Sequence, residues 1–176
     1  MQSVKTIDWI LRGALAVLLV AFVAVVGLAV YERPIHVVVA GEQAPPFSVT
    51  ADNGRRVSTP DFGGKLLVLN FWATWCPPCV EETPSLVRMQ ARFKDKGVVV
   101  LAVSIDADDA AYHKFLKEYG VNMVTVRDEA QKAATLYGTF GWPESYVIDR
   151  NGVIRRKFIG PVDWNNPEVT DYLSKL

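Results

Sequence analysis

Cys76 and Cys79 are the chain's only two cysteines, and they stand two residues apart in the stretch LLVLNFWATWCPPCVEETPSL, Leu66 to Leu86. A disulfide between them closes so short a ring that it restrains almost nothing in the unfolded chain, so a bond there serves chemistry rather than stability. That chemistry is thiol–disulfide exchange. The apolar run Leu66 to Trp72 predicts a strand buried on both faces, Cys76 falls in the turn after it, and Pro77 takes the first helical position, where its missing N–H is no loss. At a helix N-terminus the macrodipole and free backbone N–H groups favour the thiolate, the species that attacks disulfides. Cys79 lies one turn further on and is shielded, which makes Cys76 the attacking thiol and Cys79 the one that resolves the mixed disulfide. Pro77 and Pro78 both lack an N–H, so the Cys76 thiolate depends on the N–H and S–H of Cys79. A thiolate stabilised so little belongs to a reducing couple, because strong oxidants are those whose reduced form is stabilised.

Other uses of these residues fit less well. Zinc takes about four ligands, and beside the cysteines there are only His36, in a connector, and His113, on a helix face, so no metal site is expected. A copper carrier would want three residues between the cysteines and a His in reach. A thiol peroxidase would want Thr or Pro three residues before the attacking Cys, where Ala73 stands. Trp72 reads as core and Trp75 as a partly exposed lip beside Cys76. Pro84 removes one helical hydrogen bond, to the Val80 carbonyl, so a kink is expected there, a structural and not a catalytic feature.

The elements that must position the thiols follow from periodicity. Gly41 to Gly64 reads as an N-terminal hairpin turning at Asp52-Asn53-Gly54. Leu66–Trp72 and Val98–Ile105 are buried strands joined by the cysteine-bearing helix, hence parallel by the right-handed crossover. Helices follow at Tyr112, Phe115, Leu116 and Tyr119, between Asp108 and Gly120, and at Ala130, Ala133, Ala134 and Tyr137, between Asp128 and Gly138, with the short strand NMVTVRD between them. Ser145 to Asp149, the turn Arg150-Asn151-Gly152 and VIRRKFIG form an antiparallel hairpin, with Arg155, Arg156 and Lys157 on a solvated face. A last helix begins at Asn166-Pro167-Glu168 and gathers Val169, Tyr172, Leu173 and Leu176 on one side. The class is α/β with a mixed sheet.

Half of the 176 residues are hydrophobic, and the formal net charge is zero. Without a basic face there is no basis for a nucleic-acid partner. The excess apolarity lies at the amino end, where Gly13 to Tyr31 carries no charge and is long enough as a helix to cross a hydrocarbon core of about 30 Å. Lys5 and Arg12 precede it, which places residues 1–12 in the cytoplasm, 13–31 in the membrane, 32–40 as a connector and 41–176 as the exported domain. Gly27-Leu28-Ala29 also permits cleavage as a signal peptide.

FWATWCPPC followed by Glu82 and Pro84, and later GWPESYVIDRNGVI, resemble the thioredoxin superfamily and, within it, the membrane-anchored thioredoxin-like reductases of the TlpA, ResA and CcmG group, over Gly41 to Leu176. The resemblance implies a thioredoxin-like fold with an N-terminal hairpin extension and a central helix–strand insertion. It implies a cis peptide at Trp142-Pro143 facing the thiols, where backbone pairs with an extended substrate. Asn70 stands where cytoplasmic thioredoxins carry a proton-shuttling Asp, and an amide does not titrate. Glu144 and Glu82 match acidic positions of the cytochrome c maturation group. Glu144 is expected to supply the carboxylate that raises the thiol pKa and takes the proton when Cys79 attacks, while Glu82 serves either catalysis or the electrostatics of the helix start.

The expected activity is that of a bacterial inner-membrane thiol:disulfide oxidoreductase with its catalytic domain on the periplasmic side. The resemblance implies a narrow client, such as the oxidised haem-binding cysteines of an apocytochrome c, with electrons arriving from a transmembrane thiol donor. The redox-active disulfide needs no further cofactor. The alternatives are a general disulfide oxidase or isomerase and, in another class, a copper-handling or thiol-sensing protein.

Overall fold

A computed structural model describes residues 2–31, 36–50 and 56–176, which fall into two units, Met1–Ile35 and His36–Leu176. The first unit is one helix, α1 (Gln2–Tyr31), whose stretch Trp9–Leu28 is long and apolar enough to cross a membrane. That window starts before the expected Gly13 and takes in Arg12. A long stem lets such a side chain carry its charge back to the interface.

In the second unit β1 (Ser48–Thr50) pairs antiparallel with β2 (Arg56–Ser58) as the expected hairpin, while its turn at Asp52-Asn53-Gly54 and the connector residues 32–35 lie outside the described residues. A 3₁₀ turn, Thr59–Phe62, leads into β3 (Leu66–Trp72), all of whose residues are buried. Then come α2 (Pro77–Phe93), β4 (Val98–Ser104), α3 (Asp109–Glu118), β5 (Val124–Arg127), α4 (Lys132–Tyr137), β6 (Glu144–Ile148), β7 (Ile154–Ile159) and α5 (Pro167–Ser174). The sheet order is β5-β4-β3-β6-β7, with β3 parallel to β4 and antiparallel to β6. A strand in the middle of such a sheet, covered on both faces, has no polar side to show, which is why Leu66 to Trp72 does not alternate.

The insertion is placed as expected. Asp108 caps α3 by accepting from the Ala111 N–H at 3.0 Å, and β5 extends the sheet parallel to β4. Helix α2 runs unbroken through Pro84. Helix α4 is shorter than its alanine spacing predicts: Ala130 stays in the preceding turn, because the Asp128 carboxylate accepts from the Lys132 and Ala133 N–H groups and starts the helix there.

Two expectations are corrected. The boundary of the globular unit lies at Ile35/His36, not at Ala40/Gly41. Val38 is buried, its N–H donates to the Tyr137 carbonyl at 3.3 Å, and the chain at His36–Val37 runs so close to Gly138 that a Cβ there would stand 2.6 Å from the His36 oxygen. The basic triplet is not one solvated face. Arg155 is exposed, but Lys157 is largely buried and ion-paired with Glu144, and Arg156 lies over the rings of Phe158 and Tyr172.

Candidate redox site

The end of β3 delivers the chain into a turn closed by the Cys76 N–H on the Ala73 carbonyl at 3.3 Å, and α2 starts at once with Pro77. Cys76 is its N-cap, with a Cα to Cα separation of 5.2 Å to Cys79, and the two are joined as a disulfide. The Cys79 N–H points at the Cys76 Sγ at 3.3 Å. With prolines at the two intervening positions, this is the backbone donor the sulfur receives in the first turn, as the sequence requires. Both cysteines are buried, Cys79 more fully than Cys76.

Trp75 is 62 % exposed beside Cys76, whereas Trp72 is core, its ring tilted against those of Phe115 and Tyr112. Trp142-Pro143 is cis, and Pro143 is buried at the head of β6, the neighbour of β3. The Pro143 carbonyl accepts from the Gly160 N–H at 2.9 Å, which brings the end of β7 to the same place. Two apolar residues that sequence reading did not single out, Phe140 and Ile159, are exposed at this end of the sheet. Their signal was faint, since an exposed apolar residue looks like a core residue in sequence.

The acidic residues divide differently from expectation. On β6 successive side chains alternate faces. Ser145 accepts from the Asn70 side-chain amide at 2.9 Å, on the face toward α2. Glu144 lies on the other face with Tyr146 and Phe71. Its carboxylate is bound by Lys157 Nζ at 3.0 Å, by the Thr139 hydroxyl at 2.7 Å and by the Tyr146 hydroxyl. Glu144 is thus a buried, compensated ion pair and not the free carboxylate expected beside the thiols. Burial and the adjoining Glu144 charge push the Tyr146 hydroxyl's pKa far up, so that group stays protonated.

Glu82 is the carboxylate on the thiol side. It sits three residues after Cys79, one turn along the same helix face, where Cβ atoms are about 5–6 Å apart. It is buried, and it is not in the first turn, so a helix-start role is excluded by position. The Trp164 indole N–H donates to it, and the Val162 N–H and Asn70 side chain also favour its ionised form. Desolvation outweighs all three and raises its pKa from 4.5 to about 7. Ser85 ties the same loop down, donating to the Val162 carbonyl at 3.2 Å and accepting from the Trp164 N–H at 3.1 Å. An open groove of about 300 Å³, lined by Glu82, Arg88, Pro161 and Asp163 among others, runs past this residue. Trp164, 82 residues further along the chain, carried no local signal; Glu82 did, through its spacing from Cys79.

Among the described residues no cluster of His, Cys, Asp and Glu could hold a metal ion. The arrangement is a disulfide whose first sulfur caps a helix and is the less deeply buried of the two, beside a carboxylate poised to gain or lose a proton near neutrality.

Comparison with known proteins agrees with this chemistry. Residues 40–157 match the AhpC/TSA family. Thiol-disulfide oxidoreductase ResA of Bacillus anthracis is 35% identical over 136 residues, 77% of this chain and 78% of that protein. ResA of Bacillus subtilis is 32% identical over the same share of this chain and 75% of its own. Among solved structures, the thiol:disulfide interchange protein DsbE from Chlorobium tepidum superposes with a TM-score of 0.71 at 33% identity, covering 76% of this chain and 94% of that one. The thioredoxin domain of a Bacteroides vulgatus thiol-disulfide oxidoreductase gives 0.69 at 29%, covering 77% and 99%. The chain belongs to the AhpC/TSA family and, within its thioredoxin-like members, is a thiol-disulfide oxidoreductase of the ResA, TlpA and CcmG kind.

Proposed function

We propose that the protein is a membrane-anchored reductant of disulfides in exported client proteins, with the cysteine pairs of apocytochrome c as its client class. The Cys76 thiolate attacks one sulfur of the client disulfide, breaking that bond and forming a mixed disulfide; the client's other sulfur leaves and takes a proton. Cys79 then gives up its proton and attacks Cys76 Sγ, which forms the internal disulfide and releases the second client thiolate. Two electrons pass to the client, and the dithiol is restored by a thiol donor in the membrane. The couple carries the electrons itself, so the scheme uses no further cofactor.

The observation that carries this reading is Glu82. When Cys79 attacks, a base must take its proton, and a carboxyl titrating near 7 accepts at one pH and releases at the next turnover. Its groove gives that proton a way to solvent that a client seated over Trp75 and cis Pro143 leaves open. Trp75, Trp142 and Pro143 line the face that meets the client, with the backbone before Pro143 as the edge an extended peptide pairs with. Pro77 and Pro78 keep the Cys76 thiolate poorly stabilised, as a reductant needs. The stretch Trp9–Leu28 supports retention as an anchor, and Lys5 and Arg12 before its apolar run support an amino terminus in the cytoplasm with the catalytic unit on the periplasmic side.

The client is tested by trapping. Full-length Cys79→Ser in detergent is expected to form a lasting mixed disulfide with an oxidised apocytochrome c peptide and to do so faster than with an unrelated disulfide peptide. Equal rates for both would remove the apocytochrome reading and leave a general reductase.

A further inference from the structure

Asp106 is a buried carboxylate that the exchange chemistry does not use. It follows β4, whose end is held in register by the Ile105 N–H on the Trp72 carbonyl at 3.0 Å, and it is 1% exposed. Its oxygens accept from the Thr74 N–H at 3.0 and 3.2 Å, from the Thr74 hydroxyl at 2.7 Å and from the Ser104 hydroxyl at 2.6 Å. The Ser104 oxygen in turn accepts from the Asp106 N–H at 3.0 Å. Among the described residues no Lys, Arg or His pairs with it, in contrast to Glu144 with its Lys157.

Thr74 is the second residue of the turn that Ala73 and Cys76 close, so every bond Asp106 makes to it acts on the backbone that carries the attacking sulfur. A buried carboxylate with only neutral donors around it is costly, and it is retained where its bonds fix a geometry or its charge sets an equilibrium. Only Trp75 separates Thr74 from Cys76, so the two Cα atoms lie about 7 Å apart at most. A negative charge bonded to that turn, in so little-hydrated a setting, opposes a second one on sulfur. We infer that Asp106 is a positioning residue for the Ala73–Cys76 turn, and that its charge disfavours the Cys76 thiolate and so holds the couple toward the disulfide, making the protein a stronger electron donor.

The two halves of the inference separate by substitution. Asp106→Asn keeps an oxygen for the Thr74 N–H, and its amide can donate to the Thr74 or Ser104 hydroxyl, so the turn keeps its bonds while the charge goes. Thr74→Val keeps the charge and removes a hydroxyl that damps it. The inference rests on Cys76 being the attacking thiol. The full-length wild type tests that separately, since Cys76 must alkylate ahead of Cys79, and the reverse order overturns the assignment and the inference with it.

In full-length protein in detergent, Asp106→Asn is expected to raise the rate of Cys76 alkylation by iodoacetamide at pH 7 about threefold or more, and to shift the equilibrium with glutathione toward the dithiol by a similar factor. The gain vanishes above the pH at which the thiol is fully ionised in both proteins, which a merely structural change would not do. Thr74→Val is expected to move both in the opposite direction, and it decides the matter even if Asp106→Asn does not fold. Unchanged alkylation and equilibrium in Asp106→Asn, or shifts of the same sign in both variants, would overturn the inference.

Discussion

The indole N–H of Trp164 donates to the Glu82 carboxylate, joining the loop before α5 to the helix that holds both cysteines. A large aromatic residue with no exposure thus closes the space around the carboxylate and, by excluding water, makes it titrate near neutrality.

Replacing Glu82 by Gln keeps an oxygen for the indole N–H and removes the base. Resolution of the mixed disulfide should slow about 10- to 100-fold at pH 7, while the first attack by Cys76 changes little. The check is single-turnover reduction of a disulfide peptide with the mixed disulfide quantified by acid quench. Wild type should accelerate through pH 7 as Glu82 ionises, and the variant should lose that step.

Stability carries the same signature. A carboxyl whose pKa is higher folded than unfolded holds its proton better in the folded chain, so its contribution is full below pH 4.5 and is lost as pH rises to about 7. The difference in unfolding free energy between wild type and Glu82→Gln should fall by on the order of 3 kcal/mol across that window and stay constant above it. Urea unfolding of the oxidised protein at a series of pH values measures it, and a flat difference would show that Glu82 titrates normally.

Glu144 and Lys157 form the opposite case, a pair with little contact with water. Lys157→Met should destabilise by about 3 kcal/mol by leaving the carboxylate uncompensated, and adding Glu144→Gln should restore much of that loss. Thiol reactivity should change little in either. A large change in Cys76 alkylation with Glu144→Gln would return that residue to the site.

Gly138 has φ of +64°, and a side chain there would meet the backbone of His36 and Val37. Gly138→Ala should cost at least about 2 kcal/mol and release Val38 from the core. Faster hydrogen exchange at the Val38 amide is the specific readout, since its bond to Tyr137 would open with the docked segment.

What the sequence disclosed was what local rules govern. An unbroken apolar run gave a central strand, Pro77 after Cys76 gave a helix start, and Asp108 and Asn166 gave caps, because each depends on residues within a turn or two. The missing parts depend on distant partners. Nothing near Glu82 announces Trp164, nothing near Asp106 announces Thr74, and Lys157 reads as surface until β7 pairs with β6 and sets it beside Glu144. The placing of Glu144 depends on such partners too: both glutamates matched acidic positions, and only the alternation of β6 shows that Glu144 lies on the face away from Ser145 and Asn70.

The central claim is that Cys76 and Cys79 form an electron donor, and the reduction potential of the couple tests it most directly. Full-length protein in detergent, equilibrated in glutathione or dithiothreitol buffers and read by alkylation of free thiols, should give a value below roughly −220 mV. A value near −120 mV, that of a strong oxidant, would reverse the direction of electron flow and contradict the account.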